Sequence, residues 1–293
     1  PLIVRKINQF IQDNNISIVH VRSRAPAWMI NLMKKNNIKT IATFHNVYGG
    51  KSYLKKIYNK GLSKMDHLVA ISEYVREAIV KKYNLSTNNI SVINRGIDTE
   101  YFNQPLDAAI SDNIIKTHQI DTSKKIILFP ARITSWKGQL EFIDVIKKID
   151  TQNILLLFAG DTKNESYTKL VQNKIKQNSL EGVCKILGGV NHNEMRSLYQ
   201  IADLSVSFPL RAEGFGRTIS ESLYSNTPVL AFDYGGVKNQ LANLSDLFKV
   251  KPQDYQGLHK QLEKLISFTE DQNKEVLEGA QSVIESNFSK INM

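Results

Sequence analysis

Short runs of β-branched and aliphatic residues alternate with amphipathic helical stretches along nearly the whole chain, and that alternation leaves few folds open. The runs are SIVHVRS, KTIATFH, HLVAIS and NISVIN, then IILFPA, ILLLFAG, VCKILG, LSVSFP and PVLAFD. Strands that are apolar on both faces and separated by helices belong to parallel sheets, because a parallel pair needs a long crossover. Between the runs, Ile3, Ile7, Phe10 and Ile11 recur at helical spacing within Pro1 to Asn14. Further helices are expected over Pro26 to Lys35, Lys51 to Lys64, Glu73 to Tyr83, Tyr255 to Ser267 and Lys274 to Glu285. From Arg95 to about Thr122 the pattern weakens into a turn, an X-Pro stop and a polar stretch. A length of 293 residues suits about two domains. The fold class expected is therefore α/β, with two Rossmann-like domains: residues 1–104, a linker over 105–122, and residues 123–293.

Composition removes several function classes. One cysteine, Cys184, excludes an intramolecular disulfide and any multi-thiolate metal site. The six histidines show no ligand spacing, and no H-E-x-x-H or EF-hand loop occurs, so no metal is expected. No apolar run approaches the ~20 residues that span a bilayer, and PLIVRKINQFIQDN lacks the apolar core of a signal peptide. A cytoplasmic, reduced, non-spanning protein is expected. The net charge of +10 has one local focus, Lys51, Lys55, Lys56, Lys60 and Lys64 at helical spacing. That face reads either as a dock for anionic lipid, at the inner face of the cytoplasmic membrane, or as a solvated helix surface. No basic motif interleaved with aromatics points to nucleic acid.

Ligands of open α/β sheets bind beyond the carboxyl ends of the strands, so the strand-end segments are the candidates. In FPARITSWKG, Arg132 follows a strand directly, and Lys137 stands just before Gly138 and a helix. A guanidinium that chelates and an ammonium that acts as a point charge suit a diphosphate, although a solvated surface pair would look the same. In PLRAEGFGRTISESLYSNTPVLAFDYGG, Glu213 and Glu221 lie eight residues apart around Gly214, Phe215 and Gly216. Glycines let backbone approach a ligand, and the first turn of the following helix offers N–H groups to anions. Glu213 and Glu221 can accept from sugar and ribose hydroxyls; a helix cap plus a surface residue is the plainer reading. His45 closes the strand in TFHN, where it can donate to a hydroxyl or phosphate or be structural. In NRGID, Asp98 is a candidate helix cap. There is no P-loop, no G-x-S-x-G elbow and no complete G-x-G-x-x-G.

EGFGRTISE followed by NTPVLAFDYGG, with PARITSWKG upstream and ISEYVREAIVKKY…ISVINRGIDTEYF before that, resembles the family-four retaining glycosyltransferases of GT-B fold. The resemblance covers nearly the whole chain and leans toward bacterial enzymes of surface polysaccharide and lipopolysaccharide synthesis. It implies two Rossmann-like domains facing a cleft, and transfer of a sugar from a UDP- or GDP-sugar to a glycan or lipid-linked acceptor with retention. By position it implies that Arg132 and Lys137 neutralise the leaving diphosphate, Glu213 holds the donor sugar and Glu221 the ribose. Backbone around Gly214, Phe215, Gly216 and Ile219 would contact sugar and phosphate. His45 would reach the donor sugar from the other domain, and Leu187 to Val190, with Gly188, would lie against the base. No cofactor beyond the nucleotide-sugar is implied.

Three departures stand out. Ala131 replaces the family's usual glycine before the arginine, and Asn239 replaces a usual glutamate after Gly235-Gly236. The first domain starts on a later helix than the family's opening strand and glycine-rich loop, and the end at FSKINM reads as shortened. An acceptor domain incomplete at its N-terminus is therefore expected. The alternatives are a catalytically impaired fragment that only binds nucleotide-sugar, or another GT-B enzyme such as a nucleotide-sugar epimerase.

Overall fold

The computed structural model describes residues 2–33, 38–50 and 52–293; Pro1, Lys34, Lys35 and Lys51 of the expected helices lie outside these. The chain forms two units, Pro1–Arg95 and Gly96–Met293.

The first unit holds a parallel sheet of β1 (Ile18–Val21), β2 (Lys39–Phe44), β3 (His67–Ala70) and β4 (Ile90–Val92), in that spatial order. Its register aligns Val21 with Ala42, and Phe44 with Ala70 and Val92. Ala42, Phe44, Leu68 and Ala70 bury the sheet against helices such as Glu73–Tyr83, which Ser72 caps by accepting from the Val75 amide. The basic segment is not one long helix. Ser52 caps a helix at Tyr53–Asn59, and a 3-10 turn follows at Leu62–Lys64. Between them Asn59 and Leu62 turn inward to burial, so the segment cannot present an unbroken lysine face.

The second unit holds a six-stranded parallel sheet. Its strands are β5 (Lys125–Pro130), β6 (Ile154–Ala159), β7 (Cys184–Gly188), β8 (Leu204–Ser207), β9 (Val229–Phe232) and β10 (Lys249–Val250). Their spatial order is β10-β9-β8-β5-β6-β7. Every residue of β6 is buried, as expected of a strand covered by helices on both faces. Aromatic contacts run across the core from Phe129 to Phe142, Phe208 and Phe232, with ring centroids 5.1 to 5.6 Å apart. Such pairs contribute about 0.5–1.5 kcal/mol each beyond area burial. The chain turns to opposite sides of β5: β6 lies on one flank and β8 on the other. That reversal of strand order is a topological switch point, where loops diverge and leave a crevice at the carboxyl ends.

Two stretches differ from the pattern read in the sequence. The 105–122 segment carries a helix, Ala108–His118, with Asp107 accepting from the Ile110 amide as its cap. Its large apolar residues are only Ile110, Ile114 and Ile115, beside Ala108 and Ala109, too sparse to stand out in the sequence. The expected helix from Lys274 to Glu285 is two helices, Glu270–Leu277 and Ala280–Phe288, divided at Gly279, whose φ is 75°. A positive φ at glycine ends one helix and lets the next leave at an angle. The chain's end pairs back onto Ile97: the Ile97 amide donates to Phe288 O at 2.8 Å and the Lys290 amide to Ile97 O at 2.7 Å. Asp98 caps Thr99–Phe102 by accepting from the Tyr101 amide.

Candidate functional site

The switch point of the second unit is built by the loops after β5 and β8. After β5, Ala131 and Arg132 leave the sheet and the chain returns through Trp136 and Lys137 to Gly138, the first residue before helix Gln139–Ile146. Gln139 is fully buried, and its Nε2 donates to Arg132 O at 2.9 Å, fixing the turn that aims the guanidinium. The Arg132 side chain is exposed and makes no hydrogen bond or ion pair among the described residues. Gly138 has φ of 87°, and a Cβ there would stand 2.2 Å from Phe208 O. Only glycine lets the two loops touch. The Leu210 amide then donates to Trp136 O at 2.7 Å, joining the loop after β5 to the loop after β8.

After β8 the chain passes Pro209, whose carbonyl accepts from the Tyr234 hydroxyl, and reaches Glu213. Lys137 and Glu213 form an ion pair, with each side chain only 14% exposed. Trp136 lies under the ammonium, 4.6 Å from ring centroid to Nζ. The Glu213 carbonyl accepts from the Gly236 amide at 2.9 Å. Gly214, Phe215 and Gly216 are buried, and Phe215 packs on Phe288 at 5.6 Å. Gly216, with φ of 84°, opens helix Arg217–Tyr224. Gln240 clamps this turn: Nε2 donates to Phe215 O and Gly216 O, while its Oε1 accepts from Ser220 Oγ.

Glu221 points inward from that helix and is 5% exposed. Its Oε2 accepts from the Tyr199 hydroxyl at 3.0 Å and its Oε1 from Arg217 Nε at 3.0 Å. Complete burial pushes the Tyr199 hydroxyl well above the usual phenol range, and the Glu221 charge adds to this. A hollow of about 310 Å³ opens here, lined by Arg132, Gly160, Val190, His192, Arg217 and Glu221 among others. His192 stacks on Tyr101, 4.4 Å between centroids and 8° from parallel. Asn191 and Glu194 form a capping box that holds the start of helix His192–Ile201 at this hollow.

The second unit thus gathers three of the sequence candidates, Arg132, Val190 and Glu221, around one hollow. Lys137 and Glu213 stand paired in the adjoining loops, Gly214, Phe215 and Gly216 form the turn between, and Ile219 is buried in the helix they open. Gly188 ends β7 with φ of 78°. His45 lies in the first unit, one residue past β2. Its Nδ1 is buried without a hydrogen-bond partner. Burial, then the charges of Arg95, Arg22 and His20, holds the imidazole below the usual histidine range. The loop after it is pinned by Asn59, whose Nδ2 donates to Tyr48 O and Gly49 O.

Sequence reasoning missed Gln139, Gln240, Tyr199 and Arg217. The Arg217–Glu221 spacing of four was a readable helical ion-pair signal. The two glutamines carry no charge or motif, and only the closeness of loop carbonyls reveals them.

The family model described as Glycosyl transferases group 1 matches residues 110–281, more than half of the chain. The chain belongs to the glycosyl transferases group 1 family. A second model, Glycosyltransferase Family 4, matches residues 1–101 of this group 1 member. A glycosyltransferase structure from Rickettsia africae is 30% identical, with a TM-score of 0.88, covering 99% of this chain and 77% of that one. The structure of Anabaena Alr3699/HepE in complex with UDP-glucose is 18% identical, with a TM-score of 0.83, covering 98% and 78%. The O-antigen chain mannosyltransferase RfbU of Salmonella typhimurium is 27% identical over 241 residues, 79% of this chain and 62% of that one. The chain spans 56% of the length of the trehalose synthase of Thermococcus litoralis that it matches and 62% of that of RfbU. Group 1 membership and the two parallel sheets together identify the fold as GT-B. Among the described residues, no helix is long and apolar enough to cross a membrane.

Proposed function

We propose that the chain is a retaining glycosyltransferase that moves a sugar from a UDP- or GDP-sugar to an envelope glycan or lipid-linked acceptor. The observation that carries this reading is the convergence of Arg132, Arg217 and Glu221 on one hollow at the switch point, beside the Lys137–Glu213 pair. Cations and a buried carboxylate at this place fit the diphosphate and ribose of a nucleotide-sugar. The complex of the Anabaena neighbour with UDP-glucose supports that donor class, and the named activity of RfbU supports an envelope acceptor.

In this reading residues 123–293 take the donor and residues 1–104 the acceptor. Glu221 accepts from the ribose, and the segment through Gly188 and Val190 lies against the base. Arg132 chelates the diphosphate. When donor enters, Lys137 shares its three N–H groups between Glu213 and phosphate oxygen, and Glu213 takes sugar hydroxyls. His45, kept neutral, hydrogen-bonds a sugar hydroxyl. The bond between the sugar's anomeric carbon and the diphosphate oxygen breaks, leaving positive charge on the sugar and negative charge on phosphate. The acceptor hydroxyl oxygen forms the new bond on the same face, and its proton passes to the departing phosphate oxygen. Fixed cations and the turn's N–H groups stabilise that charge without reorganising. Lys55, Lys56, Lys60 and Lys64, beside the exposed Tyr53 and Leu54, would rest on anionic lipid.

The test is turnover with UDP- and GDP-sugars, following release of nucleoside diphosphate with and without a lipid-linked glycan. Nucleoside diphosphate release that depends on acceptor, with an α-linked donor giving an α-linked product, supports the reading. Inverted product overturns retention, and release into water alone overturns transfer.

A further inference from the structure

The first unit has its own gathering of cations at the carboxyl edge of its sheet. Strands β2, β3 and β4 end level, with Phe44 aligned with Ala70 and Val92, and β1 ends two residues short of them, with Val21 beside Ala42, so all four strands release the chain at the carboxyl edge of the sheet. Arg22 follows β1 directly, and His45 follows β2. Arg95 stands three residues past β4, its amide donating to Ile71 O at 3.2 Å. The side chains acting on His45 are Arg95, Arg22 and His20, with no carboxylate among them. Arg24 donates to Asn59 Oδ1 at 2.8 Å and lies over the Tyr48 ring at 4.3 Å. Lys82 donates to Tyr48 O. His20 Nε2 is 2.7 Å from Thr43 Oγ1. The Arg22 side chain is exposed and takes no partner among the described residues, and His45 Nδ1 is buried without one.

We propose that Arg22, His45 and Arg95 form an anion subsite that binds a phosphate group of a substrate. The two guanidiniums at this edge repel one another, and a bound dianion removes that repulsion while taking charge-assisted hydrogen bonds from both and a further one from the imidazole. Guanidinium forks match the tetrahedral oxygens of phosphate. An imidazole nitrogen buried without a partner is supplied with one when it donates to a phosphate oxygen. The proposal rests on the glycosyltransferase reading only for the source of the phosphate. It is a phosphate of the acceptor or the diphosphate of the donor.

The experiment follows the His45 ring resonance of the full chain by NMR during titration with inorganic phosphate at constant ionic strength. His45→Gln identifies the signal among the six histidines. The expected result is a saturable His45 shift that chloride does not produce, with phosphate affinity about tenfold weaker in Arg22→Gln, as loss of a hydrogen bond to a charged group implies. Rescue by Arg22→Lys to an intermediate affinity is also expected. Arg22 is exposed, so these variants fold; Arg95→Gln is added after its melting curve confirms folding. Repeating the titration with saturating UDP separates the sources. A phosphate effect that persists beside UDP assigns the subsite to the acceptor, and one that UDP displaces assigns it to the donor. No saturable His45 shift, or one equal in Arg22→Gln, overturns the subsite. Calorimetry of UDP on the same sample reports the switch-point hollow separately, so failure of the subsite and failure of the functional reading are distinguishable.

Discussion

Tyr199 donates its hydroxyl to the Glu221 carboxylate across 3.0 Å, and both side chains are buried in the second unit. The contact holds the carboxylate toward the hollow that Arg132 and Arg217 line. Tyr199→Phe leaves one Glu221 oxygen desolvated and unpartnered, at a cost of about 1–3 kcal/mol. In a unit of this size that lowers the melting temperature by about 2–4 °C per kcal/mol. Thermal unfolding should show this drop, together with weaker nucleotide binding. An unchanged melting temperature would mean that the hydroxyl does not support Glu221.

Gly138 is where the loops after β5 and β8 meet. Gly138→Ala forces a positive φ on alanine and drives Cβ into the Phe208 carbonyl. A loss of more than about 2 kcal/mol is expected, in the range that strain and overpacking produce. Gly182→Ala is the control, since a Cβ there meets nothing within 4 Å. Denaturant titration of both variants checks the contrast. Equal stability would show that the loops can part without cost.

How much of this was legible beforehand differs between elements. The strands were readable because parallel strands buried on both faces need unbroken apolar runs, as in ILLLFA. Arg132 stood out because it follows a strand directly, and Glu213 and Glu221 because they flank the turn Gly214-Phe215-Gly216. The helix at Ala108–His118 was not, since it buries only a narrow face including Ser111 and Ile114. The break after Asn59 escaped notice because lysine spacing says nothing of Asn59 turning inward. Gln139 and Gln240 act on backbone carbonyls, and no side-chain pattern announces those.

Lys137 and Glu213 are a largely buried pair, so each depends on the other. Lys137→Ala leaves Glu213 without its cation, and Glu213→Gln leaves Lys137 without its anion. The two single changes and the double change should be non-additive, with an interaction energy of about 0.5–3 kcal/mol. A double-mutant cycle on kcat/KM measures it. Strict additivity would mean that the pair does not act as one unit.

His45 contributes a pH dependence of definite sign. Its imidazole titrates below 6.5 in the fold and near 6.5 in the unfolded chain. Between those values the unfolded state binds more protons, so stability rises with pH and is lost as pH falls below 6.5. Melting curves from pH 7.5 to 5 should therefore fall more steeply in the parent than in His45→Gln. Parallel curves would assign the acid sensitivity to other groups.

The central claim is that the hollow at the end of β5 and β8 takes a nucleotide-sugar. Titration calorimetry of the chain with UDP-glucose and with GDP-mannose tests it most directly, using Arg132→Ala and Glu221→Ala beside the parent. Saturable binding of one donor class, weakened about tenfold or more by each substitution, is the predicted result. Absence of binding to either, or binding indifferent to both substitutions, would contradict the account.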